Sequence, residues 1–220
     1  YSSELTQAAN DRLELGSQLR QALKKETELE LWFQPQMDAR SERLIGAEAL
    51  IRWNHPQQGL IFPDRFLPVA EDAGLITALD YWVLQSACCR LAQWQSRGYD
   101  PIVLAVNITQ PTFISGGLVE HLSALLKYYR LNPKWLELEI TEGALLKPTP
   151  GVMNTIAGIK ELGISLAVDD FGTGYSSLAY LHRYRVDKLK IDRSFISTLE
   201  DEEEEGRIIT RTILNLAEGL

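Results

Sequence analysis

The chain has 220 residues, 45% hydrophobic and 24% charged, with a net charge of −8. That length and balance suit one large globular domain, or one domain with a small extra piece. No apolar run approaches the ~18 residues that would cross a bilayer, and the acidic surplus gives no global attraction to nucleic acid.

Residues 1–29 are polar and charged throughout, so no signal peptide is expected. The first residue is Tyr1 rather than Met, which suggests a piece of a longer protein. The spacing of Leu13, Leu19 and Leu23 predicts an amphipathic lead-in helix over 11–25. Residues 28–37 (ELELWFQPQM) and 43–53 (RLIGAEALIRW) predict two strands, joined as a hairpin across 38–42. Helices follow over 62–74 and 76–98, each closed by glycine. Cys88 and Cys89 lie in the second of them and read as small buried side chains, which fits a reducing cytoplasm. A strand is predicted over 101–109, a helix over 118–131, a strand over 133–143 and a helix over 149–162. The last elements are a strand over 164–170, a helix over 176–185, a strand over 186–196 and a helix over 205–220.

Strands alternating with helices predict βαβ units and a parallel sheet, either open and doubly wound or closed as a barrel. Side chains alternate faces along a strand, and that decides for the barrel. Each strand has one greasy face and a second face that turns polar toward its C-terminal end. In a TIM-type barrel the second face is the interior, and its C-terminal rim holds the active site. Five strands therefore aim Glu48, Asn107, Glu139, Asp169 and Lys190 at one rim.

Glu48, Glu139, Asp169 and Asp170, with the carbonyl of Asn107, make an oxygen-rich cluster. Carboxylates so crowded repel one another unless a cation neutralises them. All-oxygen ligation favours Mg²⁺ or Mn²⁺ over Zn²⁺. The adjacent Asp169 and Asp170 suit two ions, an arrangement that clamps the attacking and leaving oxygens of a phosphoryl displacement. Lys190 is placed to stabilise charge or to orient the attacking water.

At this point the sequence resembles the EAL-domain cyclic di-GMP phosphodiesterases. GAEALIRW carries Glu48-Ala49-Leu50, and FQPQ, VNIT, LEITE, DDFGTGYSSL and KLKIDRSF resemble the family's further motifs in the family's order. The resemblance implies hydrolysis of cyclic di-GMP to linear pGpG with two Mg²⁺ or Mn²⁺ ions. By it, Glu48, Asn107, Glu139 and Asp169 are metal ligands, Asp170 joins the second ion, and Lys190 is catalytic, as Glu48 and Asp170 are through the metals. Arg52 holds a substrate phosphate, Gln34 and Leu50 line the substrate groove, and Glu142 anchors the glycine-rich loop. The implied fold class is α/β, a TIM-like (β/α) barrel with an antiparallel first strand, incomplete at the C-terminus. Two further βα units, with a functional glutamate and glutamine, are expected beyond Leu220. Residues 1–26 read as a linker or lead-in helix following a GGDEF domain, and 27–220 as the EAL domain. A homodimer through that domain and a cytoplasmic site of action are implied, in a parent protein that membrane segments further upstream are able to anchor.

The alternatives are a degenerate EAL module that binds without hydrolysis, and an unrelated barrel metalloenzyme. Glu137 and Asp192 read as interior ion-pair or hydrogen-bonding residues. Gly172 and Gly174 alone would be an ordinary turn. His55, His121 and His182 have no ligand spacing and read as surface or helix-packing residues, Trp82 and Trp94 read as packing residues, and the run 201–205 reads as a solvated helix N-terminus.

Overall fold

The structure, a computed structural model, describes residues 2–25, 27–145, 149–172, 184–197 and 204–219. The predicted helix over 176–185 lies almost wholly outside the described residues, as do Gly174, His182 and most of the acidic run 201–205. The chain forms two compact units, Tyr1–Val106 and Asn107–Leu220.

In the first unit, α1 (Ser2–Ala22) begins well before the position its leucine spacing predicts. Leu15, Leu19 and Ala22 are buried, and Arg20 donates to the carbonyl of Ala73 at the end of α2 (Pro63–Asp72) at 3.2 Å. Arg12 pairs with Asp72 at 2.9 Å. β1 (Leu29–Met37) and β2 (Leu44–His55) form the expected antiparallel hairpin. Its turn is held by Asp38, whose carboxylate accepts the N–H and the hydroxyl of Ser41, both at 2.7 Å.

The hairpin has two chemically distinct faces. Leu29 lies opposite Trp53, Leu31 opposite Ile51 and Phe33 opposite Ala49, and this face turns to the helices. Phe33 meets Trp94 of α3 (Ile76–Ser96) edge-on at 5.2 Å between ring centroids. On the other face Glu30 lies opposite Arg52, Trp32 opposite Leu50 and Gln34 opposite Glu48. A short β3 (Gly59–Ile61), too brief to show a period, adds antiparallel to β2. β4 (Val103–Asn107) runs parallel to β2, with Ala105 beside Glu48.

His55 ends β2 and is buried. Its Nε2–H donates to Gln18 Oε1 at 2.9 Å, and its Nδ1 accepts the backbone N–H groups of Gln57 and Gln58 at 3.2 Å each. The ring packs edge-on to Trp53. The packing role read from the sequence therefore holds. Cys88 is fully buried and free, and burial pushes its thiol up to about 12, with a smaller push from Cys89. Cys89 is only half-buried.

The second unit holds α4 (Gln110–Ile114), α5 (Leu118–Tyr129), β5 (Leu136–Thr141), α6 (Glu142–Leu145), α7 (Pro150–Leu162), β6 (Ser165–Phe171), β7 (Lys188–Ile191), α8 (Arg193–Ser197) and α9 (Glu204–Gly219). β5, β6 and β7 are parallel neighbours in that order. The predicted strand 133–143 splits. Pro133 opens a 3₁₀ turn with Asn132 as its cap, and Glu142 already belongs to α6. The predicted strand 186–196 shortens likewise, because Asp192 accepts the Ser194 N–H at 2.9 Å and turns the chain into α8. α7 starts as expected, with Thr149 Oγ1 accepting the Val152 N–H at 3.3 Å. The fold class is α/β, with parallel strands alternating with helices after an antiparallel first pair, as in a TIM-like barrel. Among the described residues no helix is long and apolar enough to cross a membrane.

Candidate active site

The second unit carries a dense charge network on one face of its strands. Pairing sets Glu137 beside Ser165, Glu139 beside Ala167 and Thr141 beside Asp169, and Ala167 beside Lys188. Alternation then puts Glu137, Glu139, Asp169, Lys188 and Lys190 on that face. Two rungs of ion pairs result. Lys188 Nζ meets Glu137 at 2.6 Å, the interior ion pair read from the sequence. One rung further, Lys190 Nζ lies 2.5 Å from Glu139 Oε2 and 2.8 Å from Asp169 Oδ2. Glu139 is fully buried, so its charge depends on partners of this kind.

Asp169 and Asp170 sit on a β-bulge. Val168 lies opposite Leu189 but Phe171 opposite Ile191, so β6 carries one residue more than β7 between those points. A bulge re-aims side chains, and it frees the adjacent aspartates from strict alternation. Asp170 takes φ +53°, a left-handed conformation uncommon for a non-glycine residue, and its N–H donates to Asp169 Oδ1 at 2.9 Å. Burial raises the Asp170 carboxyl above its ordinary value, and the charges of Asp169 and Asp192 and a hydrogen bond shared with Asp192 push the same way. Lys190 opposes the shift. Asp192 is lowered, first by the hydroxyl and then by the N–H of Ser194, and its hydrogen bond with Asp170 pushes the same way. The hydrogen-bonding role read for Asp192 holds.

The chain after the bulge is tied down. Gly172 donates its N–H to Glu142 Oε2 at 3.1 Å, and Glu142 is buried at the head of α6. Gly172 is more than an ordinary turn residue. Its φ is +102°, and a Cβ there would come within 2.8 Å of the Phe195 ring. Asn107 opens this unit, and the N–H of the next residue, Ile108, donates to the carbonyl of Glu139 at 2.8 Å.

In the first unit Gln34, Glu48, Leu50 and Arg52 share one face of the hairpin. Arg52 is half-buried and donates to the carbonyl of Ile51 at 2.8 Å. Its guanidinium carbon lies 5.3 Å from the centroid of the Trp32 ring and 5.1 Å from that of Phe62. Sequence reasoning missed both aromatics. Trp32 was legible once the hairpin register was known, whereas Phe62 lies beyond β3 and gave no periodic signal.

The donor set suits a hard divalent cation. Glu139 and Asp169 offer carboxylate oxygens to one acidic group, one lysine faces both carboxylates, and neither thiol nor imidazole joins them among the contacts described. Such a cluster of acidic residues is able to hold a metal ion.

Comparison with known proteins places this geometry. The sequence model described as the EAL domain matches residues 17–220. The bifunctional diguanylate cyclase/cyclic di-GMP phosphodiesterase MucR of Pseudomonas aeruginosa is 38% identical over 97% of this chain and 31% of its own length. The cyclic di-GMP phosphodiesterase NbdA of the same organism is 40% identical over 100% of this chain and 28% of its own length. The chain thus spans about a third, or less, of these curated relatives. The solved complex of the MucR phosphodiesterase with c-di-GMP superposes with a TM-score of 0.88 at 39% identity, covering 94% of this chain and 83% of that one. The FimX EAL domain from P. aeruginosa, bound to c-di-GMP, superposes with a TM-score of 0.81 at 28% identity, covering 93% of this chain and 81% of that one.

Proposed function

The chain belongs to the EAL domain family, and from that premise we propose that it is a metal-dependent phosphodiesterase that hydrolyses cyclic di-GMP to linear pGpG. The observation that carries the reading is the convergence of Glu139 and Asp169 on Lys190, within motifs ordered as the family orders them. MucR and NbdA, both named as cyclic di-GMP phosphodiesterases, support it.

In this reading Arg52 binds a phosphate of the substrate through charge-assisted hydrogen bonds, and Gln34 and Leu50 line the groove on the same hairpin face. Glu48, Asn107, Glu139 and Asp169 are metal ligands, and Asp170 serves a second ion. Mg²⁺ or Mn²⁺ would supply Lewis acidity and lower the pKa of the attacking water. Lys190, fixed by its two carboxylates, orients that water and stabilises negative charge developing on the phosphoryl oxygens. Glu142 acts through Gly172, holding the chain that follows the aspartates. We further propose a homodimer, a GGDEF domain upstream of the lead-in helix over 1–26, and action in the cytoplasm.

The test uses the full-length protein, with pGpG separated chromatographically and binding measured directly. Asp170→Asn or Lys190→Ala should abolish turnover yet keep cyclic di-GMP binding within about tenfold, since these groups act on the transition state. Arg52→Ala should weaken binding by roughly 1.5–3 kcal/mol, the range for a hydrogen bond to a charged group. Chelation should stop turnover. Turnover that persists in chelator would sink the metal assignment, and a wild-type protein making no pGpG with Mg²⁺ or Mn²⁺ would sink the reading.

A further inference from the structure

Arg52 is held in an unusual way for a residue assigned to an anionic ligand. Its Nη1 is committed to the carbonyl of Ile51, and its Nε is buried with no hydrogen-bond partner among the described residues. No carboxylate–Arg52 pair is found among the described residues, although Glu30 lies directly across the hairpin. Glu30 is engaged elsewhere, accepting the Trp32 indole N–H at 2.7 Å. What sits against the guanidinium is two aromatic rings, Trp32 at 5.3 Å and Phe62 at 5.1 Å, both within cation–π range.

Both rings are exposed, Trp32 at 46% and Phe62 at 50%. Large apolar side chains singly exposed are common and need no explanation. Two of them against one arginine, reached from separate parts of the chain, are a different matter. Trp32 comes from β1 and faces the same way as Arg52 through the hairpin register. Phe62 follows β3, whose Ile61 pairs with Trp53, so it emerges next to Arg52 along β2.

We infer that Trp32 and Phe62 are positioning residues for Arg52, a pair of rings that holds the guanidinium in its phosphate-binding pose. The inference rests on the reading of Arg52 as a substrate-phosphate ligand. Rings suit this task better than a carboxylate. A carboxylate would neutralise the guanidinium and compete with the phosphate for its N–H groups. A ring attracts the cation through its face and leaves those N–H groups available. Glu30 completes the device by fixing the indole rather than the guanidinium.

The test is a cycle of variants in the full-length protein with cyclic di-GMP. Trp32→Leu and Phe62→Leu should each raise KM about 2- to 5-fold, the range for an exposed cation–π contact, while kcat stays within about twofold. Trp32→Phe should recover most of the loss. In an Arg52→Ala background the two leucine substitutions should add nothing, because rings that work through Arg52 have nothing left to hold. Unchanged KM in both leucine variants would overturn the inference, and so would further weakening in the Arg52→Ala background, which would mean that the rings touch the ligand themselves. A wild-type protein inert toward cyclic di-GMP would overturn the substrate reading instead. The clamp is then judged on the ligand-free protein by NMR. The Arg52 side-chain protons should be shifted by the ring currents and should relax toward free-arginine positions in the Trp32→Leu/Phe62→Leu variant. An unchanged spectrum would overturn the inference.

Discussion

Asp38 shows how much one side chain contributes to an element. Its carboxylate accepts the Ser41 hydroxyl and N–H and the Arg40 N–H, which holds it below its ordinary 3.8, with the Ser41 hydroxyl as the largest cause. A carboxyl whose folded pKa is depressed adds stability above its unfolded value, and that stability is lost as pH falls through the folded value. The melting-temperature difference between wild type and Asp38→Ala should therefore be constant well above pH 3.8 and shrink as pH falls below it. A difference that grew on acidification would contradict the assignment. At this scale the sequence was legible where chemistry repeats. Alternation alone placed Glu137, Glu139, Asp169 and Lys190 on one face, and the structure joins Glu139 and Asp169 to Lys190. It was not legible where the backbone departs from alternation. Nothing in DDFG announces a bulge, a left-handed Asp170 or a glycine facing Phe195.

At the scale of elements, packing overrides propensity most clearly between α5 and α7. Gly158 lies inside α7, where helix propensity alone favours alanine by about 1 kcal/mol. A Cβ at that position would lie 2.7 Å from Val119 Cγ1 and 2.8 Å from Val119 Cγ2. Overpacking of this kind typically costs about 1–3 kcal/mol. Gly158→Ala should therefore destabilise the protein, and adding Val119→Ala should restore part of the loss, both read from chemical denaturation. A more stable Gly158→Ala protein would show that the helices slide apart at no cost. The long helices were legible because ten or more residues display a period, and the short parallel strands because they alternate with those helices. β3, α4, α6 and α8 were missed because three to five residues display no period. Their cues are single residues, such as the Asp192 carboxylate that receives the Ser194 N–H at the start of α8.

For the molecule as a whole, α1 decides where the folded unit begins. Its own Leu15 and Leu19 are buried, and its Arg12, Gln18 and Arg20 bond to residues from 55 to 73. Burying a leucine is worth about 1.5–3 kcal/mol, so a protein shortened to start at residue 27 should melt several degrees lower or lose its cooperative transition. An unchanged melting curve would show that the helix is dispensable. The binding face and the charge network were both legible in the motifs, but this attachment was not, because it depends on His55, which matches no motif. His55 donates from one ring nitrogen and accepts two N–H groups at the other. Glutamine reproduces the reach of the first ring nitrogen and asparagine that of the second, and neither reproduces both. In a saturation-mutagenesis experiment, position 55 should therefore tolerate almost no replacement. It would score like a reacting residue while taking no part in any reaction.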